Sequence, residues 1–233
     1  MKDLVSIITP VYNAEKFIEE TITSVQNQTH TNWEHLLVDD KSSDNSVAII
    51  EEASKKDQRI KLIKLEENGG PAVARNKAIE LANGRYLAFL DADDLWFEFH
   101  LKASLDFMKI NSHAFVFASF KRSNENLEFV YSDFVVPEKV SYTDILKSNS
   151  IGCLTAVIDT KSLGKMEMPL IRKRQDMGLW LKYLKKIDYA YGINKTHAIY
   201  RIRENSLSRD KKSLIKYQWE FYRKVENSFF LSC

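Results

Sequence analysis

Leu4-Val5-Ser6-Ile7-Ile8-Thr9-Pro10-Val11-Tyr12-Asn13 is a short apolar run that turns polar at its end. Such runs, bounded by turn residues, are what strands of a parallel sheet covered on both faces require. A helical segment follows, with Phe17, Ile18, Ile22 and Val25 at three- and four-residue spacing. The pattern then repeats outward. Residues 35–38 read as a strand, 46–56 as a helix, 60–65 as a strand, 71–83 as a helix with proline near its start, and 86–90 as a strand. This alternation predicts an α/β fold, an open, mostly parallel twisted sheet with helices on both faces.

In such sheets ligands bind beyond the carboxyl ends of the strands. Four polar clusters fall there: Thr9 to Asn13, Asp39-Asp40, Asn68-Gly69-Gly70 and Asp91-Ala92-Asp93-Asp94. Each piece alone has a plain reading, because Asp, Asn and Gly suit turns and caps; Asp44 reads as such a cap. Their coincidence at four strand ends points to one ligand crevice.

The composition narrows the class. The 233 residues suit one domain, the net charge of +2 shows no global nucleic-acid footprint, and 44% hydrophobic residues is ordinary for a globular chain. No apolar run reaches the roughly 18 residues of a membrane span, and the N-terminus does not read as a signal peptide. Cys153 and Cys233 are too few for a disulfide framework or a zinc cluster. A cytoplasmic protein is the expectation.

The second half is less regular. Residues 114–120 and 128–135 read as strands around a polar turn, 154–158 as a third strand, 177–187 as an amphipathic helix, and 189–192 and 198–203 as two more strands. One domain with two lobes is expected.

The carboxylates carry the chemistry. Side chains alternate along an extended segment, so Asp91 and Asp93 would share one side, where two hard oxygen donors suit Mg²⁺ or Mn²⁺ and, through it, a diphosphate. Gly69-Gly70 runs into a helix without the spacing of a P-loop or dinucleotide fingerprint; Arg75, one turn in, either reaches toward phosphate or is a solvated arginine. Asp176, before Leu179-Trp180, reads as a helix cap or as a general base.

Taken in order, Ser6 to Asn13, Val38 to Asp44, Gly69-Gly70 to Asn76, Gly84-Arg85-Tyr86, Phe89 to Asp94, and Gln175-Asp176 before Leu179-Trp180 resemble the family 2 glycosyltransferases. The resemblance implies the GT-A fold and inverting transfer of a sugar from a nucleoside-diphosphate sugar, UDP-linked by expectation. The acceptor would be a glycan or polyprenyl-diphosphate-linked sugar in bacterial O-antigen, capsule or other surface-polysaccharide assembly. It also implies roles: Thr9, Pro10 and Tyr12 line the base pocket, one of Asp39 and Asp40 (Asp40 favoured) binds the uracil edge, and Arg75 faces the ribose–diphosphate region. Asp91 contacts the ribose or the metal's water shell, Asp93 ligates Mn²⁺ or Mg²⁺, Asp176 deprotonates the acceptor, and Asp94 and Trp180 lie on the acceptor side. Two departures stand out. Gln175 replaces a common glutamate, and Arg203 stands where many members have a metal-binding histidine; arginine offers no lone pair to a metal but can clamp a diphosphate. His197, off the motif, reads as an exposed or a structural histidine.

The expected layout is a catalytic domain over residues 1–208, with a nucleotide-binding half to 110 and an acceptor half from 111, then a tail over 209–233. The tail mixes basic residues with Leu214, Ile215, Trp219, Phe221 and Phe229, a pattern that suits an anionic membrane, the catalytic domain or a second subunit of a homodimer. Two rival readings are a nucleotidyltransferase, which lacks its glycine-rich loop here, and a catalytically silent nucleotide-sugar-binding module.

Overall fold

The computed structural model describes residues 3–129, 131–171, 173–203 and Phe221. Its first half follows the expected alternation: β1 (Val5–Val11), α1 (Ile18–Gln26), β2 (Trp33–Asp39), α2 (Ser46–Lys56), β3 (Ile60–Lys64), α3 (Pro71–Leu81) and β4 (Tyr86–Phe89). These strands pair in parallel in the order β3-β2-β1-β4, with Val5 opposite Trp33 and Tyr86.

The second half adds β5 (Leu95–Trp96), α4 (His100–Asn111), β6 (Phe115–Ser123), β7 (Lys139–Val140), α5 (Tyr142–Lys147), β8 (Val157–Asp159), α6 (Thr160–Leu163), α7 (Gln175–Leu184) and β9 (Ala190–Arg201). The sheet continues β4-β8-β6-β9-β5, with β8 antiparallel to both neighbours and β6 parallel to β9. Both faces are covered. Ala74 and Ala78 of α3, Ile145 of α5 and Leu179 of α7 pack one face; Ile18 and Ile22 of α1, Ile50 of α2 and Leu105 of α4 pack the other. The open, mostly parallel, doubly covered sheet expected from the sequence is therefore present.

Several second-half expectations are corrected. Among the described residues of 128–135 no strand forms; Phe120 and Phe134 make an isolated bridge, their rings stacked 4.8 Å apart. The two strands expected over 189–203 are one, because β9 runs through irregular register opposite Ala118–Phe120. The strand expected over 154–158 starts later, after a 3₁₀ turn at Cys153–Thr155. The α7 helix is not amphipathic but buried nearly all round, with only Asp176 and Lys182 partly exposed. Its Gly178 faces the Pro169 and Phe221 rings, where a Cβ would sit 2.4 Å from Pro169 Cγ. Phe221 is buried in that core; the rest of the tail lies outside the described residues. Among the described residues no helix is long and apolar enough to cross a membrane.

Candidate active site

A cavity of about 820 Å³ lies at the carboxyl ends of β4, β6 and β9. One wall is the Asp91–Asp94 turn, backed by Arg75. The facing wall comes from residues 147–154 and 173–176, and Phe120, Phe134 and Tyr200 supply aromatic surface.

The turn replaces the extended segment expected from the sequence. Asp94 N–H closes it onto Asp91 O at 3.1 Å, and Thr21 Oγ1 of α1 ties it down by donating to the carbonyls of Ala92 and Asp94, each at 3.0 Å. Asp91 and Asp93 still face one cavity, by turn geometry rather than by alternation. Arg75 projects from α3 and, nearly buried, donates to Asp91 Oδ1 at 2.5 Å and Gln175 Oε1 at 3.2 Å. Burial opposes its charge, but the Asp91 carboxylate holds the guanidinium above its ordinary range. Arg203 Nε lies 3.0 Å from Asp93 Oδ2.

Burial pushes the Asp93 carboxyl up, and the Asp91 charge adds to this; Arg203 partly offsets both. Positive charge is in demand there. Among the described residues no cluster of three or more His, Cys, Asp or Glu forms a metal cage. Mg²⁺ and Mn²⁺ at phosphate sites need only one or two carboxylates, the remaining positions being filled by water and phosphate oxygens. Asp93, with Asp91 beside it, fits such an ion.

Asp94 lines the cavity and also serves as an anchor. It is 1% exposed, Oδ1 accepts from Arg201 N–H at 2.9 Å, and burial followed by the charges of Asp93 and Asp91 drives its carboxyl well above the usual range. Arg201, equally buried, reaches Glu20 at 2.5 Å.

The expected base pocket lies outside this cavity, at the ends of β1 and β2. Thr9 cannot line it: the side chain is fully buried and hydrogen-bonded to His35 Nε2 at 2.8 Å, in a setting whose burial holds the His35 imidazole neutral, its pKa near 3. Asp40 has a structural part to play at the same strand end. Its two oxygens accept from Gly69 N–H at 2.7 Å and Gly70 N–H at 2.8 Å, so the carboxylate builds the loop that launches α3. Gly70 sits at φ 85°, a backbone region that side-chain-bearing residues avoid, which is why glycine precedes Pro71. Asp39 accepts only Ser42 N–H, at 3.1–3.3 Å, and keeps acceptor capacity for a base edge. Pro10 is partly exposed and Tyr12 is 54% exposed at the same strand end.

Asp176 is the second residue of α7, not its cap. Its carboxylate accepts Asn149 Nδ2 at 3.0 Å and lines the cavity facing the aspartate turn. Burial raises it above the ordinary carboxylate range, against the pull of the Met177 amide and Arg75. Trp180, placed on the acceptor side by the resemblance, is fully buried and packs edge-on to Phe89 at 5.5 Å. At its helical position it faces the sheet, so it shapes α7 without touching a ligand.

The structure thus brings Arg75, Asp91, Asp93, Asp176 and Arg203 together and leaves Thr9, Asp40 and Trp180 as supports. Sequence reasoning missed Asn149, Arg174, Lys147 and Phe120. Asn149 carries no local signal, since its role exists only where residues 147–154 meet α7. Of the two readings of His197, exposed or structural, the structure supports the second: it is buried with its Nδ1 3.2 Å from His100 Nδ1.

The family model described as Glycosyl transferase family 2 matches residues 6–158. The chain is 45% identical over 230 residues to a Bacillus subtilis glycosyltransferase named for teichuronic acid biosynthesis, TuaG, covering 99% of this chain and 91% of that one. It is 40% identical to the Escherichia coli UDP-Glc:alpha-D-GlcNAc-diphosphoundecaprenol beta-1,3-glucosyltransferase WfgD, covering 93% and 84%. Among solved structures, S. aureus TarS in complex with UDP-GlcNAc superposes with a TM-score of 0.72 at 26% identity, over 87% of this chain and 59% of TarS.

Proposed function

The chain belongs to glycosyl transferase family 2, and on that premise we propose that it moves a sugar from a UDP-sugar to a hydroxyl of a lipid-diphosphate-linked sugar during assembly of a bacterial surface polysaccharide. Its fold is GT-A and it is a glycosyltransferase. The donor and acceptor classes follow those printed in the names of WfgD and the TarS complex. One observation carries the reading: Asp176 faces the Arg75–Asp91 and Arg203–Asp93 pairs across a single cavity.

In this reading residues 1–110 hold the donor and 111–208 the acceptor, of which 204–208 lie outside the described residues. Asp39, Pro10 and Tyr12 take the base. Arg75 and Arg203 bind the diphosphate, Arg203 exchanging Asp93 for phosphate oxygens. Asp93, assisted by Asp91, holds Mn²⁺ or Mg²⁺, which when bound neutralises diphosphate charge and eases its departure. Asp176 takes the proton of the acceptor hydroxyl as its oxygen bonds to the anomeric carbon and the bond to the UDP β-phosphate breaks. Attack from the face opposite the leaving group inverts that carbon. A carboxylate raised by burial is better matched to this proton transfer than an ordinary one.

Gln175 and Arg203 do not point to a silent module. Gln175 Oε1 accepts from Arg75, and Arg203 compensates Asp93, so both departures from the family pattern have partners in the site.

Asp176→Asn tests the reading. A base contributes to the transition state and not to donor affinity, so transfer should fall on the order of a hundredfold or more while calorimetric UDP affinity stays unchanged. Transfer at wild-type rate would remove Asp176 from the chemistry.

A further inference from the structure

β9 ends on Arg201, and Arg203 follows two residues later. Residues two apart on an extended chain share a side, and Ile202 N–H donates to Ser123 O at 2.8 Å, which keeps the chain against β6 as it leaves the sheet. Both guanidiniums meet one ring. The guanidinium carbon of Arg201 lies 4.7 Å from the centre of the Phe17 ring, and that of Arg203 lies 5.5 Å from it. An aromatic face carries negative charge density and attracts a cation held within about 6 Å of its centre.

Phe17 immediately precedes α1 and is buried, yet it belongs to neither of the two apolar clusters that cover the sheet. The helix turn behind it serves the same corner. Glu20 takes the Arg201 charge, and Thr21 donates to the carbonyls of Ala92 and Asp94. Arg201 is buried, and its Nε and Nη1 find no hydrogen-bond acceptor among the described residues; the ring face stands in for part of that partner. Arg203 is partly exposed, and its ion pair is with Asp93, the carboxylate that a metal ion would take. With Asp93 engaged elsewhere, the ring is what still holds the Arg203 guanidinium at the turn.

We propose that Phe17 is a positioning residue for donor binding: its ring keeps the Arg203 guanidinium at the aspartate turn, so that the arginine exchanges Asp93 for the donor diphosphate without leaving the site. This rests on Arg203 as a diphosphate ligand. A second carboxylate in place of the ring would compete with phosphate for the same N–H groups. A ring holds the cation by its face and leaves the N–H fork to the ligand. Arg201, paired with Glu20, is the fixed member of the two arginines, and Arg203 is the exchangeable one.

Calorimetric titrations with UDP and with uridine, at one fixed Mn²⁺ concentration, test this. Phe17→Leu keeps an apolar side chain and removes the face. It should weaken UDP binding about three- to tenfold, the worth of a partly desolvated cation–π contact, and leave uridine binding within about twofold. Phe17→Tyr keeps the face and should bind UDP as wild type does. In an Arg203→Ala background Phe17→Leu should cost UDP affinity nothing further, because the ring acts through that arginine. If Phe17→Leu does not fold, a trifluorinated phenylalanine at position 17 keeps the ring's shape while weakening its face, and the same selective loss is expected. Unchanged UDP affinity, equal losses for UDP and uridine, or losses that simply add in the double variant overturn the proposal. If Arg203→Ala weakens UDP binding and Phe17→Leu does not, only the role of Phe17 falls. If Arg203→Ala itself leaves UDP binding intact, the donor role of Arg203 falls and this proposal falls with it.

Discussion

The two sides of the cavity are built differently. On the donor side, loops from successive strands are bonded to one another: Asn13 and Ser43 meet at 2.9 Å, Glu15 receives Asn45 N–H at 3.0 Å, and Asp40 receives two glycine amides. On the acceptor side the contacts tie loops to helices and to the sheet: Asn149 to Asp176, Gln175 to Arg75 of α3, the Leu154 carbonyl to Trp96 Nε1 at 2.6 Å, and a reciprocal pair between Asn76 of α3 and the Met168 backbone at 2.7 and 2.9 Å. A donor shared in its nucleotide part favours a rigid pocket preorganised in the free protein. The acceptor side, carried largely on loops, is the side on which specificity can change without disturbing the sheet. Damage on the donor side should therefore appear as lost binding or stability, and damage on the acceptor side as lost turnover or selectivity.

The largest break expected on the donor side is at Asp93. Asp93→Ala should remove most of the gain in UDP affinity that Mn²⁺ or Mg²⁺ confers and lower transfer by about two to three orders of magnitude, the several kcal/mol a Lewis-acidic ion contributes. UDP titrations with metal and with chelator check this; equal affinities in wild type would break the donor-side assignment itself.

Asp40 sharpens the contrast through stability. Asp40→Ala leaves two glycine amides at the start of α3 without their charged acceptor, at a cost of about 3 kcal/mol, read from urea unfolding. A variant of unchanged stability and weakened UDP binding would instead restore Asp40 to the base pocket.

The acceptor side should show itself in pH. Asp176 must be ionised to accept a proton, and burial raises its carboxyl, so transfer should fall as pH drops through a midpoint above the ordinary aspartate value of about 3.9. The Asn149 hydrogen bond favours the ionised form, so Asn149→Ala should move that acid limb higher. UDP affinity, set on the other wall, should not follow the same limb. Rate profiles and UDP titrations from about pH 4 to 8 bracket this range; a limb that Asn149→Ala leaves in place would detach the pair from the chemistry.

Legibility in the sequence follows the same division. The first four strands could be read because parallel strands are apolar throughout and their polar ends are short and local. Gly70 and Asp40 betray a turn by backbone chemistry alone. What the sequence did not disclose was that Asp40 receives the glycine amides nearly thirty residues away, because that contact forms only when β2 meets the start of α3. Thr9 and Trp180 were misplaced for a related reason: each lies inside a motif, yet its side chain points into the core. Residues 128–135 carry strand-like composition, but among the described ones the sheet pairing is a single bridge, Phe120–Phe134. Asn149 and Arg174 gain their roles only when α5 and α7 converge, which no local pattern encodes.

The smallest predicted effect is also the one whose sign decides most. Replacing a non-glycine residue in the left-handed region by glycine relieves about 1–2 kcal/mol. Against this, glycine costs roughly 0.5–1 kcal/mol by loosening the unfolded chain. At Arg174, whose backbone is left-handed with φ 64°, the helix start makes no side-chain cap, so little else is lost beyond the Met177 contact. Arg174→Gly should therefore stabilise the protein by about 0.5 kcal/mol, the difference between these two effects. Lys173→Gly next to it, outside the left-handed region, should destabilise by about that much. Urea unfolding of the two variants side by side gives the comparison. If Arg174→Gly instead loses stability as Lys173→Gly does, the left-handed turn stores no strain, and Arg174 is simply part of the start of α7.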